Sequence, residues 1–484
     1  MLGIPSCYVV FWTPLLATDL VIWRKRMPRI FGLALLTIFL LGVGGCKTPP
    51  ERRVDDAGAK IPSQWSGTNE STQPTLDHWV EAFGDPELSA LVHAALADNY
   101  DLKAAGTRVR AAVAQVRIDG SGLWPQLFFT PDHQQTQIRD AGFGSPRFSV
   151  TEAIFSLNWE LDVWGRIQDF KQAAVQEASA TLADFHGAKL SLAALIAKSY
   201  FDLAEAKLQS EVAEESTKDR RTIVDLVRGR FARGITNALD LRLALTDLAT
   251  AEAQLTQARN QVQIVTRRLE VLLGRYPSGN LTKISMLPEP PLGIPAGLPS
   301  ELLERRPDLV AAFDRLRAAD YRAESSRKLL LPRITLTASG GTRSTALTEL
   351  IDPRALAWNV VMGLVQPVFT GGRIRGEILL NEARAEEALN LYKSTALNAF
   401  REVEQVLAAD EWLREQEKAL RKAVEQTEAS RKLAIYSYRL GFIEILTLLD
   451  SYRSTLNAQS AHLSVKRQLL SNRINLYLAL GGGI

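Results

Sequence analysis

Phe155-Ser156-Leu157-Asn158-Trp159-Glu160-Leu161-Asp162-Val163 alternates apolar and polar residues without a fault. In an extended chain successive side chains point to opposite faces. Phe155, Leu157, Trp159, Leu161 and Val163 therefore share one face, and Ser156, Asn158, Glu160 and Asp162 the other. Such a strand needs apolar matter on one side and water on the other.

Outward from this stretch the chain repeats one plan. Upstream lie a short strand at 126–130 and a Pro/Gly-rich loop ending near Pro146, so the pair is expected as 126–130 with 150–164. A second pair is expected at 333–343 and 358–369. There Ile334, Leu336 and Ala338 alternate with Arg333, Thr335, Thr337 and Ser339, and Val360, Met362, Leu364 and Val368 mark the last strand. A helix of about 35 residues over 87–121, with Leu88, Leu91, Val92, Ala95 and Leu96 at helical spacing, ends at Trp124-Pro125. After each strand pair no proline occurs from Arg166 to Phe231 or from Arg373 to Arg439. Each is expected as one helix of about 66 residues, ~100 Å long. The turns Arg233-Gly234-Ile235-Thr236 and Leu440-Gly441-Phe442-Ile443 stop them, since glycine takes the left-handed conformation cheaply. Returning helices of about 35 residues follow. Two short helices end to end match one long helix, so they are expected to stack beside it, and Ala244, Ala249, Ala251, Ala253 and Ala258 permit close packing.

The two halves align at one offset. Asp101-Leu102 meets Asp308-Leu309, Pro125 meets Pro332, Gly165-Arg166-Ile167 meets Gly372-Arg373-Ile374, Phe231 meets Tyr438, and Leu273-Gly274 meets Leu480-Gly481. A single offset held this far marks a tandem duplication: a first repeat at 87–274, a proline-rich linker at 275–300 and a second repeat at 301–484.

The N-terminus adds a destination. Arg24, Lys25, Arg26 and Arg29 precede the apolar run 30–43, and Val43-Gly44-Gly45-Cys46 follows. A basic stretch, a short apolar core and small residues make a secretory signal over 1–45, with Met27 the natural start of a compact one. The run is too short to span a bilayer easily. Residues 46–86 read as an extended arm. Cys7 and Cys46 are the only cysteines, so the folded body has no disulfide framework and no cysteine metal site. A net charge of +3 with no aromatic-interleaved basic stripe argues against a nucleic-acid partner.

No enzyme or cofactor is legible. The five histidines, His78, His93, His133, His186 and His462, show no metal-binding spacing. Gly42 to Thr48 imitates a phosphate loop but carries Cys46 where the glycine before the lysine belongs. Gly371 to Gly376 imitates a dinucleotide fingerprint without a βαβ unit around it.

Open sheet edges are not tolerated in lipid, and membrane barrels begin at eight strands. Four amphipathic strands per chain therefore require several chains, and three would supply twelve strands. A half-exposed soluble sheet shows the same alternation; the signal and the ~100 Å helices favour the barrel. Leu302-Leu303-Glu304-Arg305-Arg306-Pro307-Asp308-Leu309, Gln366-Pro367-Val368-Phe369-Thr370-Gly371-Gly372-Arg373 and Tyr438-Arg439-Leu440-Gly441, with the gapless duplication, resemble the TolC/OprM-like outer-membrane efflux proteins, NodT-type lipoprotein branch.

The resemblance implies a mainly α protein with membrane β: a homotrimer with a twelve-stranded β-barrel and a periplasmic α-helical tunnel, extending from the outer-membrane lipid into the periplasm. It implies a passive channel in a tripartite efflux system, exporting drugs or other small molecules, with a periplasmic adaptor (membrane fusion protein) and an inner-membrane RND-type pump as partners. Other readings are a protein-secretion duct and a periplasmic structural lipoprotein without a pore. Cys46 resembles a lipobox cysteine and is expected to be acylated. Asn158, Glu160 and Asp162 are expected to face the lumen, and threefold repetition would ring it with carboxylates. Arg233, Gly234, Leu440 and Gly441 are expected to form the adaptor-docking tip turns. Tyr438 matches the family's gate tyrosine, Asp240 its aspartate partner and Asp450 a constricting acidic position. The pattern departs at Ile443, where the family gate has an arginine, and at Thr447, where it has a second aspartate, which points to a more apolar barrier.

Overall fold

A computed structural model describes residues 62, 65, 66, 78–138, 147–280, 286–291 and 299–483. The signal segment, Cys46 and most of the arm lie outside the described residues. The elements are α1 (Pro86–Asp98), α2 (Tyr100–Gly120), β1 (Gln126–Gln137), β2 (Arg147–Leu161), α3 (Arg166–Ala232), α4 (Ala238–Leu272), α5 (Leu302–Arg305), α6 (Pro307–Arg327), β3 (Arg333–Ser344), β4 (Leu356–Val365), α7 (Arg373–Leu440) and α8 (Ile445–Ala479).

The long helices have 67 and 68 residues, and both returning helices have 35. At 1.5 Å per residue α3 and α7 are ~100 Å long. The sheet-proximal part of α3 packs on α2 and α6, and its far part packs on α4 and α8. Alanines set the closeness: Ala180, Ala183 and Ala311 form a small cluster where α3 meets α6.

The helix expected at 87–121 is two helices. Asn99 takes an extended ψ of 126°, its side-chain oxygen accepts the Leu102 N–H, and its amide donates to the Leu272 carbonyl at 2.9 Å. An asparagine that caps a new helix while bonding a third element breaks the old one, which apolar spacing does not reveal. The second repeat repeats the joint with another residue: Arg306 Nη1 donates to the Ala479 carbonyl. Gly274 (φ 71°) and Gly481 (φ 67°) close both repeats, and a Cβ on either would meet the Asp98 or Arg305 carbonyl oxygen within 3 Å. Asp98 and Arg305 are themselves equivalent residues of the two repeats. The duplication is thus visible in the packing of its joints.

The strands form one antiparallel sheet in the order β1-β2-β3-β4. β1 is longer than the 126–130 read from sequence. Pro131 does not end it but pairs with Ala153; β1 is an edge strand, where a missing N–H is harmless. β2 stops at Leu161, because Asp162 turns away to cap α3, its carboxylate accepting the N–H groups of Ile167 and Gln168. β4 ends at Val365, short of the expected 369, since Gln366-Pro367 leaves the ladder and the Gln366 amide bonds the Leu330 carbonyl.

Candidate functional site

The register of the sheet assigns every side chain to a face, because directly paired residues lie on the same side. Leu127 and Phe129 of β1, Phe155 and Leu157 of β2, Leu336 and Ala338 of β3, and Val360 and Met362 of β4 fall on one face. Leu127, Phe129, Phe155, Val360 and Met362 are exposed in the single chain, and Phe129 and Phe155 stack with centroids 4.8 Å apart. This is an unbroken apolar surface across all four strands. The opposite face carries Thr130, Ser156, Asn158, Glu160, Thr335, Thr337, Ser339 and Asn359. Two ion pairs lie on it: Glu152 bonds Arg343 and Glu160 bonds Arg166, each at 2.8 Å.

Asn158 and Glu160 thus share the polar face, whereas Asp162 lies past the end of β2 as a helix cap. Gly341 admits the closest approach between strands, since a Cβ there would meet the Ala153 carbonyl oxygen at 2.1 Å. At the foot of the sheet Trp159 Nε1 donates to the Leu123 carbonyl and Trp164 Nε1 to the Pro332 carbonyl. Below them Lys328 and Asp169 pair in near-complete burial. Burial pushes the Asp169 carboxyl up, against the pull of the ammonium.

At the other end of the long helices, two glycine turns are built alike. Gly234 (φ 69°) and Gly441 (φ 81°) end α3 and α7. Just beyond them the Ile235 N–H reaches the Arg230 carbonyl and the Phe442 N–H the Ser437 carbonyl. Both turns present bare apolar residues: Ile235 and Leu239 on one, Phe442 and Leu446 on the other. Behind them Val224 and Val227 of α3, Ala244 of α4, Tyr438 of α7 and Leu448 and Tyr452 of α8 form one apolar cluster. Ile443 is half-buried against it, and Asp450 is exposed.

Within one chain Tyr438 and Asp240 do not bond each other. The Asp240 carboxylate is taken by the Thr236 hydroxyl, and among the described residues the buried Tyr438 hydroxyl makes no hydrogen bond to a carboxylate. Burial, with the nearby Asp240 charge, pushes that phenol up. The Arg230 guanidinium lies 5.1 Å from the Tyr438 ring centre and reaches the Tyr438 and Arg439 carbonyls.

Sequence reading missed the strongest polar groups of the tip. Arg220 Nε donates to buried Asp247 at 2.7 Å, Arg453 of the second repeat reaches the same carboxylate at 3.2 Å, and Arg431 pairs with Asp219. A signal existed. Arg220 stands on the stripe of Ile223, Val224 and Val227, and Asp247 lies between Ala244 and Ala251, so each is a charge set in an apolar row.

Among the described residues no helix is long and apolar enough to cross a membrane, and no cluster of histidine, cysteine, aspartate and glutamate is placed to hold a metal ion.

Known proteins share this arrangement. The family model for outer membrane efflux proteins matches residues 91–275 and 298–482. The pyoverdine export outer membrane protein OpmQ of Pseudomonas putida is 32% identical over 475 residues, covering 94% of this chain and 98% of its own. The outer membrane protein OprJ of Pseudomonas aeruginosa is 33% identical, covering 95% and 97%. The solved structure of the outer-membrane channel OprN superposes with a TM-score of 0.82 at 26% identity, covering 90% of this chain and 99% of that one. With its two repeats, its four-stranded amphipathic sheet and its paired long helices, the chain belongs to the outer membrane efflux protein family, non-enzymatic channels of the bacterial outer membrane.

Proposed function

We infer that three copies of this chain close their sheets into a twelve-stranded barrel and their helices into a tunnel, forming the passive exit duct of a tripartite efflux system. The single observation that carries this is the apolar face continuous over four strands whose outer edges, β1 and β4, each lack a neighbour. Such edges cannot stand in lipid, and closure through further copies removes them. The helices then extend the duct by ~100 Å. A periplasmic adaptor docks on the glycine turns, using the apolar pairs Ile235 with Leu239 and Phe442 with Leu446. An inner-membrane RND-type pump supplies the energy and the selection of cargo. A cargo of drugs or other small molecules agrees with the pyoverdine export named for one relative. Acylated Cys46 fastens the arm to the outer membrane; a single acyl chain holds weakly, so the barrel remains the main anchor.

Purified from membranes in mild detergent, the protein is expected as a trimer that conducts ions in a planar bilayer, with its first mature residue at Cys46 carrying added acyl mass. Deletion of the gene should raise intracellular accumulation of pump substrates, and Cys46→Ala should restore most of the export. A non-conducting monomer would overturn the duct, and a free thiol at Cys46 would overturn the anchor alone.

A further inference from the structure

The two repeats differ in the helix that precedes their joint. In the first, α1 presents Leu88, Leu91, Val92 and Ala95 to a cluster that includes Ala193 and Ala197 of α3 and Leu273. The corresponding second-repeat positions for the helix are Pro295, Leu298, Pro299 and Leu302. Prolines at that spacing remove backbone donors and clash with the preceding turn, so the sequence disfavours a helix of the length of α1. α5 accordingly spans only Leu302–Arg305, against 13 residues for α1. The long helix has changed to match. Ala193 is replaced by Phe400 and Ala197 by Glu404, both on the face that α1 would have covered.

That face is covered by a residue from the far end of the chain. Trp65 is only 5% exposed and lies in one cluster with Leu302, Leu303, Phe400, Ala479 and Leu480, its ring centre 6.2 Å from that of Phe400. The next residue, Ser66, donates its backbone N–H to Glu404 Oε1 at 2.8 Å, across 338 positions of sequence. Both Phe400 and Glu404, which contact the arm, stand where α3 has alanine. The small alanines of the first repeat suit a helix lying close. The large ring and the carboxylate of the second suit an extended segment that brings an indole and an unpaired N–H.

We propose that the N-terminal arm is a component of the second repeat: Trp65 replaces the helical turns that the proline-rich linker removed, and it sits in a socket built to accept an indole ring. At this joint the face of the long helix is covered by α1 in the first repeat and by Trp65 in the second.

Hydrogen exchange on the intact protein in detergent tests this. Trp65→Ala should speed exchange about tenfold or more over 302–309 and 400–407 while leaving the equivalent stretches 95–102 and 193–200 as in the parent, because exchange follows the population of the locally open form. Trp65→Gly should show the same local loss, and millimolar free indole should reverse it by filling the vacated volume. Parent-like exchange in W65A, or loosening spread evenly over both repeats, would overturn the proposal, as would W65G that does not respond to indole. If neither variant accumulates, Glu404→Ala decides, since it removes the Ser66 bond and leaves the ring: faster exchange confined to 302–309 and 400–407 supports the socket, and a parent pattern counts against it.

Discussion

Glu160 and Asp162 are two positions apart and hold different partners. Glu160 points to the polar face and pairs with Arg166, while Asp162 accepts two backbone N–H groups at the start of α3. Removing a side-chain cap of this kind costs about 1 kcal/mol. Asp162→Ala is therefore expected to lower the thermal midpoint while leaving the reversal potential across a salt gradient unchanged. Glu160→Gln strips Arg166 of its counter-charge and should move the reversal potential toward anions. Equal shifts of reversal potential in both variants would show that Asp162 also acts on the ions in the lumen. Alternation alone assigned both carboxylates to the lumen. It could not see that β2 ends at Leu161, because the capping bonds are made to residues of the next element.

At the scale of elements, the joints that close each repeat are its most constrained points. Gly481 takes a positive φ, and a Cβ there would meet the Arg305 carbonyl oxygen at 2.9 Å, so Gly481→Ala meets both backbone strain and a clash with backbone that cannot easily yield. A loss of about 1–3 kcal/mol is expected, read as a lower midpoint in thermal unfolding; an unchanged midpoint would show that the end of α8 simply shifts. Helix lengths, glycine turns and the strand faces were legible in the sequence because each depends on local spacing: the missing prolines between Arg166 and Phe231, Gly234 and Gly441, and the alternation around Leu157. The break at Asn99, the passage of β1 through Pro131 and the seat of Trp65 were not, because each is decided by a partner far along the chain.

Across the whole molecule, we propose that the tip opens by separating the first-repeat pair α3 and α4 from the second-repeat pair α7 and α8. Bonds that cross this divide near the tip include Arg453 to Asp247, Arg431 to Asp219, and Arg230 to the carbonyls of Tyr438 and Arg439. Asp247→Asn removes the carboxylate that Arg453 reaches across the divide. Asp247→Asn should therefore raise single-channel conductance or open probability in a planar bilayer more than Tyr438→Phe combined with Asp240→Ala. Tyr438→Phe alone should be close to neutral, since among the described residues the hydroxyl it removes bonds no carboxylate. If the double variant opens the channel and Asp247→Asn does not, the Tyr438 hydroxyl finds its partner across protomers and the arginine bridges only hold the helices together.

The seat of Trp65 also dictates an order of events. The arm lies near the front of the chain, and a polypeptide threaded through a membrane emerges N-terminus first. Yet its socket is completed by Phe400, Ala479 and Leu480, and the His78 N–H bonds the Gly483 carbonyl at 3.1 Å. The first body residues to arrive must wait for the last. No subunit can finish folding until its whole length has crossed, and contacts this distant in sequence form slowly. An incompletely translocated chain then carries an indole at position 65 with no socket to enter, and that bare apolar ring marks it off from a finished subunit.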